Sequence, residues 1–197
     1  MILRLVRARV LPGRLDALRA GLVSLLPQAR STPGLLRTHV GTSRTGDDVE
    51  IAFVTIWESA EAEIAAIGKD VVRPAQLDGI SEHVAVEGVD HFEVDDSALR
   101  SPDAVPMVLR VATGWIDLGP DAEIQQELRR RMHALPDDMV EGYVGRRMRG
   151  GTIEIAFVTT WARASDDRPL EEPIWPDISA QYRSFSVETY EPVVATT

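Results

Sequence analysis

The chain contains no cysteine in 197 residues. That excludes disulfide staples, thiolate nucleophiles, cysteine-held iron–sulfur clusters and cysteine zinc sites. It also lacks an excess of positive charge: the formal net charge is -10, and both halves carry more carboxylates than basic groups. Phosphate backbones and anionic lipid surfaces bind to concentrated positive charge, so no nucleic-acid or membrane partner is expected. Short runs such as Arg129-Arg130-Arg131 and Arg146-Arg147 do not overturn that balance, and the first reads as the solvated side of a helix. No apolar run approaches the roughly 18 residues of a membrane span. The N-terminus shows no charged stretch followed by an apolar run, so no signal peptide is read and a cytoplasmic protein is the expectation. A glycine-rich phosphate loop, a Gly-x-Ser-x-Gly nucleophile elbow and a His-Glu-x-x-His helix are all missing. Nucleotide hydrolysis, esterase chemistry and zinc proteolysis therefore have no positive support.

What the chain does contain is a repeat. Val49-Glu50-Ile51-Ala52-Phe53-Val54-Thr55-Ile56-Trp57 returns 104 positions later as Ile153-Glu154-Ile155-Ala156-Phe157-Val158-Thr159-Thr160-Trp161, with seven of nine residues identical. The two copies lie at corresponding places in halves of similar length. With 44% apolar residues the chain can bury a sizeable core, as one domain or as two small ones in contact.

The order of elements repeats as well. Ile2–Val10 alternates as a strand, with Leu3, Leu5, Arg7 and Arg9 on one face and Arg4, Val6, Ala8 and Val10 on the other. Leu15, Leu18, Leu22, Leu25 and Leu26 recur at helical spacing, and the helix is expected to end near Pro27. Strands over Leu35–Ser43 and Val49–Trp57 flank a hairpin turn at Thr45-Gly46-Asp47-Asp48. Ser59 caps a second helix with a stripe of Ile64, Ile67 and Val71, and His83 to Val94 reads as a last strand. The second half repeats the order with a strand over Val108–Ile116, a helix over Asp121–Leu135, strands over Glu141–Arg149 and Ile153–Trp161, and a final strand through Phe185–Val193. Each half is thus βαββαβ, the ferredoxin-like order: an antiparallel sheet with helices on one face. Both faces of Val49–Trp57 are largely apolar, so the sheets are expected to face each other and close a pseudo-twofold α+β barrel within the chain. Modules are placed at residues 1–96 and 106–194, with Asp95–Pro106 as a surface joint. Between Trp161 and Pro176, two prolines and an aspartate pair break helical continuity, so an irregular segment replaces the second helix there.

A third strand ending in tryptophan and running into a capped helix, Phe53-Val54-Thr55-Ile56-Trp57-Glu58-Ser59-Ala60-Glu61-Ala62, resembles the antibiotic-biosynthesis-monooxygenase-like family of the dimeric α+β barrel superfamily, here fused in tandem. Phe157-Val158-Thr159-Thr160-Trp161 carries the same resemblance in the second copy, and Gly34-Leu35-Leu36-Arg37 fits the family's glycine-led second strand. The resemblance implies a pocket between sheet and helices in each module. It implies a cofactor-independent monooxygenase acting on a small aromatic or polyketide-like compound. A non-catalytic ligand-binding or stress-associated barrel, or a haem-binding protein, stays open beside it. The haem-degrading members use an asparagine on the second strand and a histidine on the helix after the tryptophan. This chain has no asparagine, and Ser59–Val72 has no histidine.

Trp57 and Trp161 match the family's strand-end tryptophan. They are expected to line a pocket with Phe53 and Phe157, offering flat surface and an indole N–H, or else to wedge the core. Trp175 and Tyr182 read as a lid over it or as anchors of the irregular segment. Among the histidines, His39 and His83 are candidate bases for a phenol proton, as is His91. Arg37 and Tyr143 are candidate partners of a phenolate or peroxide oxygen. Leu35, Arg37 and His39 are read as sharing one strand face. The histidine spacing fits no compact metal motif, so no metal and no cofactor is called for. The expected partner is a small hydrophobic or aromatic molecule, and the oligomeric state is a monomer with an intrachain barrel or a homodimer.

Overall fold

The computed structural model describes residues 1–68, 80–101, 104–117, 121–134, 138–162 and 183–193. The elements are β1 (Ile2–Val10), α1 (Leu15–Arg30), β2 (Leu35–Thr45), β3 (Asp48–Trp57), α2 (Ala60–Ile67), a 3-10 turn at Ser81–His83 and β4 (Val84–Leu99). They continue as β5 (Val108–Asp117), α3 (Asp121–Ala134), β6 (Met139–Arg149), β7 (Thr152–Trp161) and β8 (Ser184–Pro192). This is an α+β fold of two ferredoxin-like units, and hydrogen bonding orders the strands β1-β3-β2-β8-β5-β7-β6-β4 as a closed barrel. Among the described residues, the compact units are those within 1–91 with 190–193, and those within 92–189. The segment after Trp161 that was expected to be irregular, with Trp175 and Tyr182, lies outside the described residues.

In the first unit, β3 lies between β1 and β2, antiparallel to both. The helix-facing side of this sheet and the apolar stripe of α1 form one core of Val6, Ala8, Val10, Leu18, Leu22, Val40, Ile51, Phe53 and Ile80. Fully burying a side chain the size of Leu or Phe contributes about 1.5–3 kcal/mol. The alternation read for β1 and β3 is therefore also the main stabilising pattern of the unit.

The second unit repeats the plan. Here β7 lies between β5 and β6, and the stripe Ile124, Leu128 and Met132 of α3 packs with Ile153, Ile155, Phe157 and Trp161.

Several boundaries differ from expectation, each for a local reason. Helix α1 runs one turn past Pro27 to Arg30. Proline there removes one N–H donor, while Ser31 Oγ donates to the Gln28 carbonyl at 2.8 Å and the Ser31 and Thr32 amides close the end on Gln28 and Ala29. In α2 the buried residues are Glu63 and Ile67, whereas Ile64 is exposed. The stretch expected as a joint is strand through Leu99: Glu93–Leu99 pairs with β6, with a bulge at Asp95. Burial pushes the Asp95 carboxyl above its usual range, and Arg146 at 3.2 Å partly offsets this.

One glycine is fixed by both dihedral and space. Gly34 has φ +77°, and a Cβ there would meet the Ala62 Cβ at 2.5 Å. Its carbonyl accepts from the Glu58 amide at 2.9 Å, which holds the start of β2 against the start of α2.

Candidate binding site

A cavity of about 250 Å³ opens in the first unit, between α1 and the β1–β3–β2 sheet. Strand alternation aims Arg4 of β1, Thr38 and Val40 of β2, and Phe53, Thr55 and Trp57 of β3 into it. Helix α1 supplies Leu22, Leu25, Gln28 and Ala29, and Thr32 follows the helix end. The turn of α1 beyond Pro27 is what carries Gln28 and Ala29 to the site. Leu35, Ile67 and Ile80 complete the lining. The walls are mainly apolar, and Arg4 is the one charged side chain among the described lining residues.

Two polar arrangements are built into the walls. Trp57 Nε1 donates to Thr55 Oγ1 at 2.9 Å. The indole N–H expected to orient a ligand is thus already engaged, because Trp57 and Thr55 sit two apart on one strand face. The ring is left as a fixed flat wall. The second arrangement starts at Arg4, whose Nε lies 3.5 Å from Glu63 Oε1, with the two side chains only 5% and 4% exposed. The same Glu63 oxygen is 2.7 Å from His91 Nε2 on β4, a ring 36% exposed. Burial lowers the Arg4 pKa from its usual value, and the Glu63 carboxylate acts the other way. Arginine stays charged even so. Arg4 therefore brings a desolvated positive charge to an apolar cavity, held from behind by a buried carboxylate.

The second unit carries the same framework in a different state. Arg4 pairs in register with Thr55, and Arg110 with Thr159. Trp161 Nε1 donates to Thr159 Oγ1 at 2.9 Å, and the Arg110 guanidinium lies 5.3 Å from the centre of the Trp161 ring. Where Leu35 faces Trp57 in the first unit, Met139 faces Trp161, and the Thr38 position opposite the threonine is Gly142. A Cβ at Gly142 would meet the Met132 and Met139 sulfurs at 3.3 and 3.4 Å. Both methionines are fully buried. The space that Thr38 borders in the first unit is occupied by thioethers in the second.

The residues singled out from sequence fall in different places. Trp57 and Phe53 line the cavity. Trp161 and Phe157 are buried in the core of the second unit. A bulge between Leu35 and Arg37 puts Leu35 on the cavity side with Thr38 and Val40, so Arg37 and His39 belong to the opposite sheet face. Leu35, Arg37 and His39 therefore do not share a face. Arg37 Nη1 donates to the Leu36 carbonyl at 2.8 Å, and His39 is buried. His83 is buried in its 3-10 turn, with Nε2 3.7 Å from Glu82. Tyr143, the counterpart of His39 by register, donates its hydroxyl to Glu141 at 2.6 Å. Trp175 lies outside the described residues.

Arg4 and Glu63 were not singled out from sequence, though both left a signal. Arg4 is the lone charge on the face it shares with Val6, Ala8 and Val10, and the pair Leu3-Arg4 recurs as Leu109-Arg110. Glu63 stands four residues before Ile67, on the same side of the helix.

Comparison with known proteins agrees with this architecture. Residues 1–67 match the family model described as antibiotic biosynthesis monooxygenase. No curated protein matches the sequence. A candidate monooxygenase from Lactobacillus acidophilus aligns over 100% of this chain and 95% of its own, with TM-score 0.71 and 12% identity. An anthrone oxidase-like protein aligns over 99% and 92%, with TM-score 0.59 and 13% identity. A haem-binding protein from Thermus thermophilus aligns over 97% and 90%, with TM-score 0.55 and 10% identity. At these identities the likeness is one of fold. The chain shares the barrel fold of these proteins.

Proposed function

We propose that the cavity of the first unit binds a small hydroxylated aromatic compound as its anion, and that the protein is a cofactor-independent monooxygenase of such compounds. The observation that carries this reading is the desolvated Arg4 guanidinium in an otherwise apolar cavity walled by Trp57. A cation held in low dielectric favours the ionised form of a ligand oxygen far more than it does in water. The Trp57 ring and Phe53 offer flat apolar surface to the ring system. A phenolate is electron-rich enough to react with dioxygen directly. One oxygen atom enters the ring as a second carbonyl, giving a quinone, and the other leaves as water, with no outside reductant. The likeness to a monooxygenase family model over residues 1–67 supports the same reaction class.

A haem fits this cavity poorly. Its iron needs an axial donor such as histidine, cysteine, methionine or tyrosine, and none of these is among the described lining residues. The test is oxygen uptake with bicyclic and tricyclic phenols, without added metal, flavin or haem. Uptake matched by one quinone per dioxygen, and depressed about 100-fold by Arg4→Gln, is the expected result. If no phenol consumes oxygen yet aromatic anions bind, the protein is a binding barrel instead.

A further inference from the structure

Glu63 is the unusual member of this site. It is a carboxylate on a short helix, turned inward, and it touches two bases of different kinds: Arg4, which lines the cavity, and His91, which reaches solvent. We propose that Glu63 and His91 form a coupled positioning pair behind Arg4, which selects anionic ligands and takes up a proton at His91 when one binds. The inference rests on the reading of the cavity as a binding site.

Without a ligand, the buried Glu63 carboxylate is balanced by the Arg4 guanidinium, and His91 adds a hydrogen bond at 2.7 Å. An anion entering the cavity draws on that same guanidinium. Two negative groups then share one positive one in a place where water screens poorly. Imidazole is the side chain that can acquire charge near neutrality. His91 Nε2 already sits on the Glu63 oxygen while part of its ring meets solvent, the source of the proton. The strand neighbour of His91, Asp90, pairs with Arg7 of β1 at 3.3 Å. Glu63 Oε1 from α2 meets the ring at 2.7 Å, and Arg4 from β1 lies 3.5 Å from that same oxygen. A neutral ligand leaves the Arg4–Glu63 balance undisturbed and gains nothing from His91. Glu63 and His91 are positioning residues here, acting through Arg4.

Calorimetry with two probes of nearly the same shape, 2-naphthoate and 2-naphthamide, tests this. Each is titrated in two buffers of different ionisation enthalpy. The expected result is about tenfold or more tighter binding of the anion, with uptake approaching one proton per naphthoate and none with the amide. Naphthoate affinity should rise as pH falls, by at most about tenfold per pH unit. His91→Gln, at a partly exposed position, should bind naphthoate with the wild-type affinity seen at high pH, without proton uptake and without pH dependence. Glu63→Gln should abolish the proton uptake that accompanies naphthoate. Naphthoate binding with no proton uptake in wild type, or uptake that survives His91→Gln, overturns the coupling and leaves the binding site standing. Failure of both probes to bind overturns the site and the coupling with it.

Discussion

At the scale of single residues, Arg4 and Glu63 decide how the site behaves. Two charges with side chains about 5% exposed are held together because separating either from water alone is costly. Removing one partner of such a pair destabilises by about 3 kcal/mol or more, whereas replacing both by apolar groups of similar size is far milder. Arg4→Met should therefore lower unfolding stability by about 3 kcal/mol, and Arg4→Met with Glu63→Leu should recover most of it. Urea denaturation of the two variants measures this. Equal destabilisation by the single and double changes contradicts the pairing. The Arg4→Met/Glu63→Leu protein also separates stability from function, since it should fold and yet bind no aromatic anion.

How far these residues were legible follows from the type of signal each gives. Trp57 and Phe53 announce themselves by repetition and by strand alternation, and both line the cavity. Arg4 was visible as a lone charge on an apolar face, but a strand read by itself does not say which face carries the helix. Its partner Glu63 could not be paired from sequence, because the pairing spans 59 positions, from 4 to 63. His39 and Arg37 drew notice as polar groups on a strand, and a single bulged residue reassigned their face. A bulge has no reliable sequence mark, and one residue of slip inverts every side chain after it.

At the scale of elements, β2 and α2 are locked at their starts by Gly34. Its positive φ is readily adopted only by glycine, and the Ala62 Cβ occupies the space that a side chain would need. Gly34→Ala should destabilise by about 2–3 kcal/mol, combining dihedral strain with overpacking. Adding Ala62→Gly should relieve the overpacking and leave the dihedral part, so the double variant is expected between Gly34→Ala and wild type. Thermal melts read the order of the three proteins; no loss in Gly34→Ala would mean that the strand start moves freely. The secondary-structure order was legible almost throughout because period-2 and period-3.6 patterns are strong in this chain. Ends were less so. The last turn of α1 depends on capping by Ser31 and Thr32 that outweighs a proline, and the end of β4 depends on pairing with β6, a strand distant in sequence.

At the scale of the molecule, the duplication explains why one chain holds two copies of an Arg–Thr–Trp framework in different surroundings. The first copy borders a cavity. In the second, Arg110 stacks on Trp161, and Met132 and Met139 fill the space beside Gly142. The fold was legible from the repeat; the divergence around the Arg–Thr–Trp framework was not, because a methionine and a glycine replacing a leucine and a threonine look neutral until register shows them opposite Trp161 and Thr159. The central claim is that the cavity of the first unit receives aromatic anions at Arg4. A crystal structure of the protein soaked with 2-naphthoate tests it most directly. The expected result is the ring system against Trp57 and Phe53, with a carboxylate oxygen within about 3 Å of the Arg4 guanidinium. An empty first-unit cavity at saturating probe, or a probe bound there with its carboxylate turned away from Arg4, would contradict it.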